Sequence, residues 1–538
     1  MKRILVAALA ITATVTLKAT PHSDNQAIVH VLNRIGFGPR AGDVERVRSM
    51  SIERYIDQQL HPERIPDEAL AARLSGLTTI GLSSREIAEQ YERPQLEARR
   101  ERRRNAKQDD PGAGNQKPAD PLLQKANAVM VELSEQKLLR AVYSERQLQE
   151  VLADFWFNHF NVDARKGPDR FLVTEYERES IRPRLLGKFR DLLGATARSP
   201  AMLFYLDNWL SADPNGPHAA PRALPQLQAQ GRRAPKGLNE NYGRELMELH
   251  TLGVDGGYTQ NDVTEVARAF TGWTIENPRQ GGGFKFEPRI HDAGEKIVLG
   301  HVIKAGGGES DGEQVLDILA AHPSTARFIS TKLARRFVGD TPPPALIDRA
   351  AARFHETGGD LREVMRTILT SPEFLSPEAY RAKVKTPFEF VVSALRATGT
   401  DVDTGERKAR EGREEHIGSA GFEGSAFDAR ALVREVQQLG MPLYMCQPPT
   451  GYKDTADAWV NTGALVNRMN FAMRLAGSRL PRIAGVSPSA LDTLDSQAVI
   501  ERLLGGDASD TTRATIAKAT TAPQMTALTL GAPEFQRR

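Results

Sequence analysis

Apolar residues recur at three- and four-residue spacing along most of the chain, which is the period of a helix with one buried face. Leu148, Val151, Leu152 and Phe155 mark one such face, and Ser144 to Gln147 ahead of it reads as a capping box with Ser144 as N-cap. Thr259 caps a second predicted helix whose face is Val263, Val266, Ala267 and Phe270. Ile329, Leu333 and Phe337 mark a third, and Leu361, Val364, Met365 and Ile368 a fourth. Phe390, Val391, Ala394 and Leu395 continue the pattern. Strand character is confined to Phe284-Lys285-Phe286 and Lys296-Ile297-Val298-Leu299, read as one hairpin across a polar turn. The expected fold is mainly α: a large multi-helix globular protein with one small β-hairpin and long inserted loops.

Three stretches break the period: 99–121, which starts with an arginine run, 211–237, rich in Pro, Ala and Gly, and 401–426, charged and Gly-rich. Their composition predicts flexible loops. Leu369 to Phe374 echoes Leu530 to Phe535, each an apolar segment closed by Pro-Glu-Phe. The proline stops the helix and the phenylalanine can fold back onto it. Two copies are a shared helix-ending device, short of the three repeats a solenoid needs.

Composition narrows the class. With 40% hydrophobic and 26% charged residues, the 538-residue chain has enough apolar surface for a folded core. Cys446 is the lone cysteine, so no intramolecular disulfide and no multi-cysteine metal site forms. Residues 1–19 carry Lys2 and Arg3 before an apolar run from Ile4 to Leu17, the plan of a signal peptide, although Leu17 sits where a small residue is preferred. No later stretch has the roughly 18 apolar residues of a spanning helix. The expectation is an exported protein, periplasmic or secreted, without a transmembrane anchor once the leader is removed.

The net charge of +3 divides unevenly. The leader's Lys2, Arg3 and Lys18 account for all of it, and residues 99–107 carry six cations and Glu101. What remains is a mildly acidic body, which argues against a nucleic-acid partner.

Candidate chemistry concentrates in Asn239 to Thr251. Asn241, Glu245 and Glu248 share one helical stripe, and two carboxylates beside an amide suit either metal binding or acid–base work. The structural alternative pairs Arg244 with Glu248 at i+4. Neither Glu-x-x-His nor His-Glu-x-x-His occurs in this segment, so ferritin-like and zincin sites are not indicated. Trp156, Asn158 and His159 lie in an aromatic run, with His159 on the apolar face of its helix. Gly272 suits the helix end before Trp273, and His291-Asp292 falls in the hairpin connection. Nothing near Cys446 marks an activated thiol.

Together these segments resemble the bacterial family catalogued as domain of unknown function 1800. The resemblance runs through His30 to Pro39, Phe155-Trp156-Phe157-Asn158-His159-Phe160, the block Asn239 to Thr274, His291-Asp292, the Pro-Glu-Phe endings and Gln447-Pro448-Pro449. It covers residues 25–538 as a single module. It implies a large, mostly helical exported bacterial protein and brings no settled activity or catalytic residues. The family's usual Gly-Trp after Pro-Pro stands here as Gly451-Tyr452.

Two functions compete. One is an envelope binding or scaffold protein with an exported or envelope protein partner, for which Tyr258, Trp273, Asn158 and Trp156 are the candidate contacts. The other is a metal-dependent periplasmic or secreted hydrolase that draws on Asn241, Glu245, Glu248, His250, His159, His291 and Asp292. A carboxylate–imidazole set of that kind would take a divalent cation such as zinc, manganese or calcium. Binding is slightly favoured, and convergence of the polar residues in the fold is the discriminating observation.

Overall fold

Helices form where the 3.6-residue period places them, because each apolar face finds another helix to cover it. In the structure, a computed structural model describing residues 24–105, 121–216, 237–404, 427–477 and 495–538, the predicted faces are all buried. Leu148, Val151, Leu152 and Phe155 point inward from the helix Gln147–His159, and Val263, Val266 and Ala267 from Gln260–Ala269, with Phe270 just beyond its end. The same holds for Pro323–Phe337, Leu361–Leu369 and Pro387–Thr398. These faces join one core that runs from Ile28 to Phe535, beside a small cluster of Ile87, Ala126, Val129 and Phe171. The fold is mainly α. No helix among the described residues is long and apolar enough to cross a membrane.

One glycine enables a close helix pairing in the motif region. Gly243, on the helix Glu240–Glu248, faces Gln260–Ala269 so closely that a Cβ there would lie 2.9 Å from the Val263 carbonyl oxygen. Thr259 caps the second helix as expected, with Asp262 completing a reciprocal capping box. Both Pro-Glu-Phe endings fold back as well: Phe374 and Phe535 are buried, and His30 donates from Nε2 to the Phe374 carbonyl at 2.7 Å.

Three expectations are corrected. Ser144 is not the N-cap of Gln147–His159. Arg146 holds that position without a side-chain cap, while Ser144 Oγ accepts from the Arg146 N–H and donates to Asp67. A half-buried carboxylate outside the segment competes for the hydroxyl, which spacing alone does not show.

The single hairpin is two. Strand β1 (Trp273–Ile275) pairs antiparallel with β2 (Phe284–Phe286), and β3 (Lys296–Val298) with β4 (His301–Ile303). Leu299 and Gly300 form a two-residue turn with φ of 49° and 79°, the turn whose twist suits adjacent strands. That tight turn lets β3 pair with its sequence neighbour and leaves β2 to Trp273. A short parallel pair, β5 (Val402–Asp403) with β6 (Phe427–Asp428), completes the strands.

Third, Arg99 to Arg104 continue the helix Arg93–Asn105 instead of opening a loop, because arginine and glutamate are good helix formers. Residues 106–120, 217–236 and 405–426 of the expected loops, and the whole of the expected leader, lie outside the described residues.

Candidate functional site

Asn239 starts the central motif helix. Its Oδ1 accepts from the Asn241 N–H, and its Nδ2 donates to the Leu206 carbonyl at 2.8 Å. The stripe it launches then rises to the surface: Asn241 is exposed, and Glu245 and Glu248 are half-buried. Glu248 Oε2 accepts from the Tyr258 hydroxyl at 2.9 Å. Burial, and then the charge of Glu248, push the Glu245 carboxyl up from its ordinary value. Arg244 donates to Gln260 at 2.6 Å, so the expected i+4 pair with Glu248 gives way to a contact with the neighbouring helix.

The helix ends at Glu248, and both Leu249 and His250 donate backbone N–H groups to the Glu245 carbonyl. His250 therefore turns away from the stripe into the core. It lies 6.2 Å, ring to ring, from His159, whose Nε2 donates to the His250 carbonyl at 3.1 Å. Both rings pack on Phe160. Burial, reinforced by the Lys332 ammonium, holds the His250 imidazole down to about 3. The same causes, with His250 added, hold His159 well below the usual range. Desolvation also pushes Lys332 down to about 8.

His159 and His250 thus converge on each other, and Glu248 meets Tyr258 with Glu245 beside it on the stripe. The two sets are separated because the imidazoles face the aromatic core and the carboxylates face outward. His291 and Asp292 join neither. His291 Nδ1 lies 2.7 Å from the Thr271 carbonyl oxygen, and Nε2 lies 3.2 Å from Asp311 Oδ2. Asp311 also accepts from the fully buried Lys296 at 2.7 Å. Asp292 is bound by Arg268 at 2.7 and 3.1 Å. This network ties the hairpins to Gln260–Ala269. Among the described residues no group of three His, Cys, Asp or Glu side chains is placed to hold a metal ion.

Of the four candidate contact residues, Tyr258 and Asn158 are half-buried, Tyr258 beside Glu248 and Asn158 against Tyr452. Trp156 and Trp273 are fully buried. Trp156 packs edge-on to Phe155 and His159, and Trp273 sits between Phe270 and Phe284. Their large apolar area is spent inside the fold, so a partner at the surface meets neither.

Asn158 belongs to a clamp that spacing did not reveal. Its Nδ2 donates to the Tyr452 carbonyl at 2.8 Å, and its Oδ1 accepts the Tyr452 N–H at 2.7 Å. Asn161, buried, donates to the carbonyls of Cys446 and Pro448, both at 2.9 Å, and the Tyr205 hydroxyl donates to the Gln447 carbonyl at 2.7 Å. Gly451 permits the approach: its φ is 72°, and a Cβ would stand 2.2 Å from the Asn158 carbonyl oxygen. Tyr452 donates its hydroxyl to Pro442. Pro448 and Pro449 offer carbonyls and no N–H, so the loop needs donors, which come from the Asn161 amide, the Tyr205 hydroxyl and the Gly451 N–H. That need was the available signal. Burial pushes the Cys446 thiol up to about 11, consistent with an inert packed residue.

Removing the clamp has a definite expected cost. Asn161→Ala leaves the Cys446 carbonyl without its donor, while the Gly451 N–H still reaches Pro448, and unfolding by denaturant should show a stability lower by about 1–3 kcal/mol at unchanged slope.

No curated protein and no solved structure matches the chain. The family model described as Protein of unknown function (DUF1800) matches residues 30–537, and that span takes in the Asn158 and Asn161 clamp, the Asn239 helix and both hairpins; the chain belongs to this family.

Proposed function

We propose that the protein is an exported envelope component that binds a partner protein through the surface beside Glu245, Glu248 and Tyr258. The observation that carries this reading is Val254. It is 67% exposed on the loop that joins the Glu248 end of the motif helix to Tyr258. Gly253 fixes that loop with a φ of 85°, and its open position lies against the Phe328 ring. An apolar side chain held outward, next to Glu245, Glu248 and exposed Asp255, suits a partner that presents a basic residue beside an apolar one. Export is supported by the leader-like composition of residues 1–19. The buried histidines and the clamp support a framework role for the other motif residues.

A photo-crosslinking residue at Val254, in cells that express the full chain, should capture one protein. The same residue at Leu375, 44% exposed elsewhere, should not. Tyr258→Ala should reduce capture about tenfold, the equivalent of about 1.4 kcal/mol. Glu245→Gln should change it little, since the Tyr258 hydroxyl is held by Glu248 and the amide keeps the shape of the Glu245 side chain. Equal capture from both positions, or none from Val254, would sink the reading.

A further inference from the structure

The C-terminal half of the core holds more buried positive charge than its carboxylates offset. Glu389 accepts contacts from Arg336 at 2.7 Å and from Arg538 at 2.9 Å. Asp340 and Asp454 pair with Lys383 at 2.7 and 3.3 Å. Arg34, Arg468 and Lys385 are as deeply buried and share the more distant charge of Glu389, yet among the described residues their hydrogen bonds go to neutral acceptors. Arg34 donates to the Val338 and Ala379 carbonyls and leaves Nε and Nη1 without a hydrogen-bond partner. Arg468 donates to Gln536 and to the Lys385 carbonyl. Lys385 Nζ donates to Ser393 Oγ at 2.7 Å and lies 4.0 Å from the centroid of the Phe535 ring. Neutral acceptors and a ring face do not replace a counter-charge for a buried ion.

Lys385 and Ser393 face a chamber of about 30 Å³, with His30, Asn33, Arg381 and Arg538 also on its wall. Glu534 is the carboxylate on that wall, and it is committed to the Ser509 N–H and the Thr512 hydroxyl, both at 2.9 Å. His30, 4% exposed, leaves Nδ1 without a partner. A water-sized particle fits the space, and a monatomic halide is of that size.

We propose that this chamber binds one small monovalent anion of halide size, chloride in a physiological medium, with Lys385 as its principal cation and the Ser393 hydroxyl beside it. The anion supplies the charge that Glu389, Asp340 and Asp454 do not. Burial pushes the Lys385 amine down to about 7, so a competing outcome is a neutral amine beside a water molecule.

Crystals of the full chain soaked in bromide should show an anomalous peak about 3–3.5 Å from Lys385 Nζ. In solution the melting temperature should rise by several degrees when sodium gluconate is replaced by sodium chloride at equal ionic strength. Lys385→Met should abolish that chloride-specific rise. Ser393→Ala, a milder change that keeps the cation, should retain a reduced rise and so covers the case in which Lys385→Met fails to fold. No bromide peak in the chamber, or a chloride-specific rise that persists in Lys385→Met, would overturn the proposal.

Discussion

Lowering the pH from 7.5 to 5.5 is expected to remove about 4 kcal/mol of stability through three buried histidines, about 1–2 kcal/mol from each. Burial and the neighbouring Arg34 hold His30 down to about 3, and His250 reaches about 3 through burial and Lys332. His159 is held well below its ordinary value by the same kind of environment. A histidine whose folded value is depressed binds its proton in the unfolded chain only. As pH falls below the unfolded value near 6.5, protons therefore pull the chain toward unfolding, and the loss grows until the folded value is reached. Asp169 and Glu135 act with the opposite sign, because burial raises their carboxyls and the folded state gains the proton. The histidine part is read by difference. The destabilisation caused by His250→Gln at pH 7.5 should shrink by about 1–2 kcal/mol at pH 5.5, measured by denaturant titration in chloride-free buffer. A penalty that stays constant across this range would show that folding leaves the His250 titration unchanged.

Glu389→Gln should cost about 3–5 kcal/mol. The amide keeps the size of the side chain and its Oε can still accept from the Thr386 N–H, the capping bond that measures 2.8 Å in the native chain. What disappears is the negative charge between Arg336 and Arg538, both deeply buried. Those guanidiniums hold the Glu389 carboxyl down to about 2 against the cost of its burial. A depressed carboxyl contributes stability that is complete above the unfolded value near 4.5 and is lost as pH falls toward 2. Wild type should therefore converge on Glu389→Gln in acid, and thermal melts from pH 7 to pH 3 would follow the convergence. A Glu389→Gln protein as stable as wild type at neutral pH would mean that the arginines are compensated elsewhere.

The helix faces were legible because they depend on period alone. Leu361, Val364, Met365 and Ile368 must lie together on any helix, and any core-facing helix buries them. Thr259 was legible for the same reason, since a cap needs only its own next three residues. Ser144 and the hairpin failed where a distant group competed: Asp67 took the serine hydroxyl, and Trp273 took the strand partner of Phe286. The candidate site was legible in part. Spacing placed Glu245 and Glu248 on one stripe, and the fold keeps them there. It could not show that His250, two residues later, faces the opposite way, because the helix ends between them.

The sequence by itself determined the class of this protein, the positions of its helices and the family to which it belongs, since local period and ordered motifs survive without coordinates. The tertiary structure decided which polar groups meet. Asn161 reaches a proline loop 285 residues away, and Glu389 gathers arginines from positions 336 and 538. Such contacts obey donor–acceptor and charge balance in space, and these balances have no period along the chain from which they could be read.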